Sequence, residues 1–154
     1  MKYTKITDSI FTVEDFLTRQ ECHEYMVLSE SIGYEAAKVN TSGGARVVTS
    51  IRNNNRAFHN SEELAQSLWE KVKPFVPSQL GNSEAIGLNE LFRFYRYQRG
   101  HQFKGHFDES YIRNATEASY FTFMIYSTQS GFSDFTGLPN SPFQVELERG
   151  EFRI

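Results

Sequence analysis

The sequence predicts an α+β domain, with N-terminal helices covering one face of an antiparallel sheet or a jelly-roll barrel, on three observations. The first half of the chain carries apolar residues at helical spacing, and after Gly81-Asn82 the period changes to strand-like alternation. Across 154 residues, 39% are hydrophobic and 15% aromatic, enough for one sizeable core without a disulfide or structural zinc. A single domain over 1–154 follows.

Ser9 to Leu17 begins with alternating apolar residues and reads as a short strand leading into a helix. Thr18 with Glu21 three residues later is a pattern in which each side chain caps the other's backbone N–H, so a helix should start there. Its buried face should carry Cys22, Tyr25, Met26 and Ser29, and Gly33 should close it. Asn40 to Asn55 is rich in Ser, Gly, Thr and Asn, and reads as loop crossed by one short strand at Arg46 to Ile51, with Asn53-Asn54-Asn55 offering little to bury. A second helix should begin at Asn60 or Ser61, show Leu64, Leu68 and Val72 on one face, and end at Pro74 and Pro77. Strands are expected over Gly87 to Gln98, Gln102 to Phe107, Ser119 to Tyr126 and Phe143 to Phe152.

Charge and cysteine content narrow the function classes. Lys and Arg number 16 against 19 Asp and Glu, a net charge of -3, which does not favour nucleic acid or an acidic membrane surface as partner. Arg93, Arg96, Arg99 and Lys104 lie close in sequence, either as a local basic groove or as solvated edge-strand side chains. The single cysteine, Cys22, has no partner within the chain, and no stretch approaches a membrane span or signal peptide. A soluble, cytoplasmic protein is the expectation.

Chemistry concentrates in one run, Tyr95-Arg96-Tyr97-Gln98-Arg99-Gly100-His101-Gln102-Phe103-Lys104-Gly105-His106-Phe107-Asp108. Alternate residues of a strand point to one side, so His106 and Asp108 would aim an imidazole nitrogen and a carboxylate oxygen at one point. A His-x-Asp pair with a distant His forms the facial triad of non-haem iron(II) oxygenases. His23 and His59 read as surface or helix-terminus residues, and His101 as a residue at the pocket mouth.

The run resembles the strand, turn and strand of the prolyl 4-hydroxylase-like iron(II)- and 2-oxoglutarate-dependent dioxygenases. Gly87-Leu88-Asn89-Glu90 upstream and Ser119 to Tyr126 downstream resemble the family too, so the likeness covers roughly residues 10 to 126. It implies N-terminal helices packed on a partial double-stranded β-helix (jelly roll), with His106 and Asp108 as iron ligands. It makes Tyr97, or Tyr95 in the alternative register, a hydrogen-bond donor to 2-oxoglutarate. Arg93 would line the pocket or form a salt bridge. The implied cofactors are iron(II), 2-oxoglutarate as co-substrate and ascorbate as accessory reductant. The implied substrate is a prolyl or other protein side chain, with small molecules as the alternative.

The likeness fades after Tyr126, where Ser133-Asp134 stand in place of the family's two glycines before Thr136. No histidine follows Asp108, and Arg149 and Arg153 are the only basic residues after Arg113. The expectation is therefore an incomplete domain lacking its distal ligand: an active domain whose remainder lies elsewhere, a site completed by Glu146, Glu148 or another chain, or a non-catalytic binding module. Unpaired sheet edges would then favour self-association.

Overall fold

The computed structural model describes residues 1–106, 108 and 110–126, with the backbone of 127–128 and 142–153. A small hairpin comes first: β1 (Lys2–Lys5) pairs with β2 (Phe11–Glu14). Helix α1 (Arg19–Ile32) follows, opened by the anticipated reciprocal cap of Thr18 and Glu21. It closes at Gly33, whose φ of 85° suits a residue without a Cβ. Ser29 is buried, and Tyr25 and Met26 pack on the core, as the helical spacing requires.

Between the helices the chain departs from expectation. No strand runs over Arg46 to Ile51; a hairpin of β4 (Val39–Thr41) and β5 (Gly44–Arg46) precedes a turn in which Val48 O accepts from Ile51 N and Arg52 N. The short β3 (Glu35–Ala36) and the six-residue β6 (Asn55–Asn60) belong to the main sheet. The polar segment before β6 is not a solvated loop, because Arg52 and Asn54 are buried. Helices and strands thus interleave, where the sequence suggested helices first.

Helix α2 (Glu62–Val72) starts where predicted, with Ser61 Oγ accepting from Leu64 N, and Pro74 falls in the single 3-10 turn that follows it. The hairpin of β7 (Gln79–Leu80) and β8 (Ser83–Leu88) turns at Gly81, with φ of 60°. The predicted strand Gly87 to Gln98 is instead β8 and β9 (Leu91–Arg96), bent at Asn89, whose buried side chain accepts from Leu91 N at 2.8 Å. Strand β11 (Pro142–Arg153) pairs with β9 through Phe143 to Leu147 and with β8 through Gly150 to Arg153, so β8 and β9 act as one bent strand along it. β10 (Glu117–Thr128) lies on the other side of β11, and β6 on the other side of β9. All these pairings are antiparallel. Of the predicted strand Gln102 to Phe107, Phe107 lies outside the described residues and the rest forms no regular strand. Only an isolated bridge, Phe103 to Arg52, remains.

Register sorts the side chains into two faces. Ala57, Phe94 and Ile125 occupy one row and Phe92 and Phe123 the next, and these join Leu68, Trp69 and Val72 of α2 in the core. Phe92 and Phe94 are fully buried with centroids 6.3 Å apart; complete burial of such a side chain contributes about 1.5–3 kcal/mol. Both helices therefore cover one sheet face. Arg56, Phe58, Arg93, Tyr95, Met124 and Tyr126 belong to the opposite, open face. Consequently Arg93 and Arg96 do not share a groove: Arg96 pairs with Glu30 of α1 at 3.0 Å and lies over Tyr34 on the helix side, and β9 is interior rather than an edge. Among the described residues no helix is long and apolar enough to cross a membrane.

Candidate metal centre

Two segments partly cover the open face. Residues 51–54 and 100–104 are laced together by Asn53 N to Gln102 O (3.1 Å), Lys104 N to Ile51 O (3.0 Å) and Asn53 Nδ2 to Gly100 O (3.2 Å). Asn53 Oδ1 also accepts from Gln102 N. Gly100, with φ of 84°, turns the chain so that Phe103 faces back onto the sheet. These bonds take up backbone groups that a regular strand would have used, which is why Gln102 to His106 does not extend the sheet.

The result is a four-layer stack. The Arg52 guanidinium carbon lies 4.5 Å from the Tyr95 ring centroid below it and 4.0 Å from the Phe103 centroid above it. The His106 imidazole stacks on Phe103 at 3.8 Å, with 23° between the planes. Tyr95 and Arg52 are buried, whereas His106 keeps 42% of its side chain exposed. The stack fixes where the imidazole sits relative to the sheet, although His106 is not on a strand.

His106 and Asp108 converge. His106 Nε2 is 3.3 Å from Asp108 Oδ1. On their far sides each is held by another group: His106 Nδ1 lies 2.9 Å from Lys104 O, and Asp108 Oδ2 accepts from the Thr122 hydroxyl of β10 at 2.8 Å. With the proton on Nδ1, donated to Lys104 O, the Nε2 lone pair faces the carboxylate. An N–H donated to a carbonyl and a carboxylate fixed by a hydroxyl are the outer contacts that orient metal ligands. Two ligand atoms about 2.0–2.2 Å from a common ion, at neighbouring coordination positions, lie about 3 Å apart. The observed 3.3 Å is compatible with that spacing and equally with a direct ion pair between the two side chains.

The set holds two candidate ligands. Among the described residues no group of three His, Cys, Asp or Glu side chains could hold a metal ion. Glu146 and Glu148 lie on β11, with Glu146 in register with Arg93 and Met124, but their side chains fall outside the described atoms. Of the two tyrosines singled out by sequence, Tyr95 forms the floor of the stack, while Tyr97 is half-buried one residue beyond β9. Arg93 lies 5.9 Å from the Phe58 ring on the open face. His23 is exposed on α1, and His101 is half-buried in the turn. His59 is a strand residue of β6, with its ring 6.4 Å from Phe92.

Sequence reasoning missed Arg52, Asn53 and Asn54. Arg52 Nε donates to Asn54 Oδ1 at 2.8 Å, yet Nη2 is buried and makes no hydrogen bond among the described residues. Burial of an uncompensated charge costs several kcal/mol. Each cation–π contact returns about 0.5–2 kcal/mol, so the two rings offset only part of that cost. The one available signal was an arginine directly before three asparagines, in a segment whose polarity suggested solvent.

Nearby, Glu90 at the β8–β9 bend pairs with Arg113, whose hydrogen bond, and to a lesser extent its charge, hold the Glu90 carboxyl below its usual pKa. Ser119 N donates to Tyr111 O and Ser119 Oγ accepts from Tyr111 N, each at 2.8 Å, tying the segment after Asp108 to β10. A groove lined by Trp69, Lys73, Val76, Ser78, Glu84 and Ile86 lies elsewhere, at the end of α2. Compared with family models, curated proteins and solved structures, the chain matches none.

Proposed function

We propose that this chain is an iron(II)- and 2-oxoglutarate-dependent dioxygenase domain, a hydroxylase of the prolyl 4-hydroxylase-like kind, built on a partial jelly roll. The observation that carries the reading is the convergence of His106 Nε2 and Asp108 Oδ1 at 3.3 Å, with Lys104 O and the Thr122 hydroxyl orienting them from behind. An antiparallel sheet with helices on one face and this pair over the other supports the partial jelly-roll reading.

His106 and Asp108 would hold the iron, with a third group from outside the described side chains or from another chain. Iron(II) held there would, with 2-oxoglutarate, supply the chemistry for hydroxylating an unactivated C–H bond, with dioxygen as the oxidant and succinate and carbon dioxide as co-products. The protein's own contribution is positional. Lys104 O keeps the proton on Nδ1 and Nε2 free to ligate, and Thr122 holds the carboxylate in place. The Phe103–Arg52–Tyr95 layers exclude water from one side of the imidazole. Tyr95 and Tyr97 are the candidate donors to 2-oxoglutarate, ascorbate the accessory reductant, and the substrate a protein side chain or small molecule in the cytoplasm.

The test is an anaerobic titration of the chain with iron(II) and 2-oxoglutarate, following the charge-transfer absorption of the chelate. A saturable band that His106→Ala abolishes is expected. A folded chain that gives no band would leave a non-catalytic binding module, in which the His106–Asp108 contact is an ordinary ion pair.

A further inference from the structure

The net charge of -3 conceals a division of charge between the two sides of the molecule. No Asp or Glu occurs from Ala36 to Ser61 or from Leu91 to Phe107, although both stretches are rich in Lys and Arg. Carboxylates gather instead on the helices, as Glu21, Glu24 and Glu30 of α1 and Glu62, Glu63 and Glu70 of α2. Folding brings the two basic stretches together. Ala37 N donates to Asn54 O at 3.0 Å, and residues 51–54 are tied to 100–104, so one layer runs from β3 and the β4–β5 hairpin to the turn before His106. Within it, Arg52 is enclosed by Tyr95 and Phe103, and Arg56 pairs with Glu35 at 3.3 Å. Lys38, Arg46, Arg99 and Lys104 are exposed and pair with no carboxylate among the described residues. Exposed like charges without counter-charges raise the local potential, and an anionic partner lowers it.

The rings of this layer decide which anionic polymer suits it. Single-stranded nucleic acid binds by stacking its bases on open ring faces. Here Phe103 lies between Arg52 and His106, and Phe58 carries the guanidinium groups of Arg56 at 4.7 Å and Arg93 at 5.9 Å. With those faces taken, the layer offers separate cations to separate carboxylates, which is the chemistry of an acidic polypeptide. We propose that the band from Lys38 and Arg46 to Arg99 and Lys104 docks an extended acidic segment of a protein beside His106 and Asp108. Lys104 stands two residues from His106, and its carbonyl oxygen is the one that His106 Nδ1 faces, so a chain bound along the band reaches the candidate metal centre. That the segment belongs to the substrate rests on the dioxygenase reading; the docking itself rests on the charges. Net charge alone points away from an acidic partner because it adds the helix carboxylates to a layer on the other side of the sheet.

The experiment follows the fluorescence anisotropy of a labelled peptide alternating glutamate and proline as the metal-free chain is added. Saturable binding is expected at low salt, lost at about 1 M salt, where the screening length falls to about 3 Å. A peptide with glutamine in place of glutamate should not bind. Arg46→Glu combined with Lys104→Glu should weaken binding at least tenfold. Arg19→Glu combined with Lys73→Glu, on the helix side, changes the net charge equally and should leave affinity within about twofold. All four of these side chains are exposed. Binding should also move the His106 imidazole NMR resonances and leave those of His23 on α1 in place. No binding by a folded chain at low salt, equal binding of the glutamine peptide, equal weakening by the two double variants, or a shift at His23 instead of His106 overturns the proposal. So does tighter binding of a labelled oligothymidylate, which would make the band a nucleic-acid surface. If a variant does not fold, the glutamine peptide and the salt dependence of the wild-type chain decide. No arm contains metal, so failure here leaves the iron titration untouched, and failure of the iron titration removes only the substrate role of the docked segment.

Discussion

Thr122→Val isolates the support of the proposed metal-binding carboxylate, Asp108, from the carboxylate itself. Valine keeps the β-branched shape and strand preference of threonine, so β10 is retained, and only the 2.8 Å hydroxyl bond to Asp108 Oδ2 is lost. A hydrogen bond to a charged acceptor contributes about 1.5–3 kcal/mol. Asp108 keeps 38% of its side chain exposed, so water replaces part of that bond and about 1 kcal/mol is the reasonable loss. That corresponds to roughly a fivefold weaker metal affinity, just below the usual range for removing an outer contact. Anaerobic iron(II) titration of wild type, Thr122→Val and Asp108→Asn gives the ordering: strong, weakened about fivefold, and lost. If Thr122→Val binds as tightly as wild type while its thermal stability is unchanged, Thr122 does not orient Asp108 and the outer-contact reasoning fails.

Two further expectations concern the scaffold. Phe94→Ala removes a fully buried ring from the core and should cost about 3–5 kcal/mol in chemical denaturation, whereas Phe58→Ala, on the open face with 37% exposure, should cost about 1 kcal/mol or less. Equal losses would mean the two sheet faces are wrongly assigned. Glu21 is held below the ordinary carboxyl value of 4.5, first by Lys71 and then by the Thr18 backbone N–H. Its folded pKa lies under its unfolded one, so its contribution is present above about pH 4.5 and lost as pH falls through the folded value. The stability gap between wild type and Glu21→Gln should therefore be flat from neutrality to pH 5 and shrink below pH 4.5, as read by denaturation midpoints. A gap that stays constant into acid would show that the Lys71 pair adds nothing.

What the sequence revealed depended on how local the determining interaction is. The Thr18–Glu21 cap, the Gly33 stop, the Ser61 start and the Pro74 end are each decided within four residues, and each falls where the pattern puts it. β6 was hidden because its signal is Ala57 and Phe58 inside a polar run, and it is a strand only because β9 supplies its hydrogen bonds. The reverse error occurred at Gln102 to His106, where alternation suggested a strand but Asn53 diverts the backbone pairing. The strand alternation that singled out His106 and Asp108 does not account for their closeness. Their convergence comes from the Phe103 stack and Thr122 rather than from the two-residue period of a strand.

That difference bears on how the site is positioned. Side chains on one strand inherit their geometry from the pleat, whereas here each inherits it from a separate neighbour: the imidazole from Phe103 and Lys104 O, the carboxylate from Thr122. Phe103 in turn rests on Arg52, and Arg52 on Tyr95, so a residue 54 positions before His106 sets the height of the imidazole above the sheet. Such a stack transmits displacement layer by layer because packed rings tolerate little change in spacing.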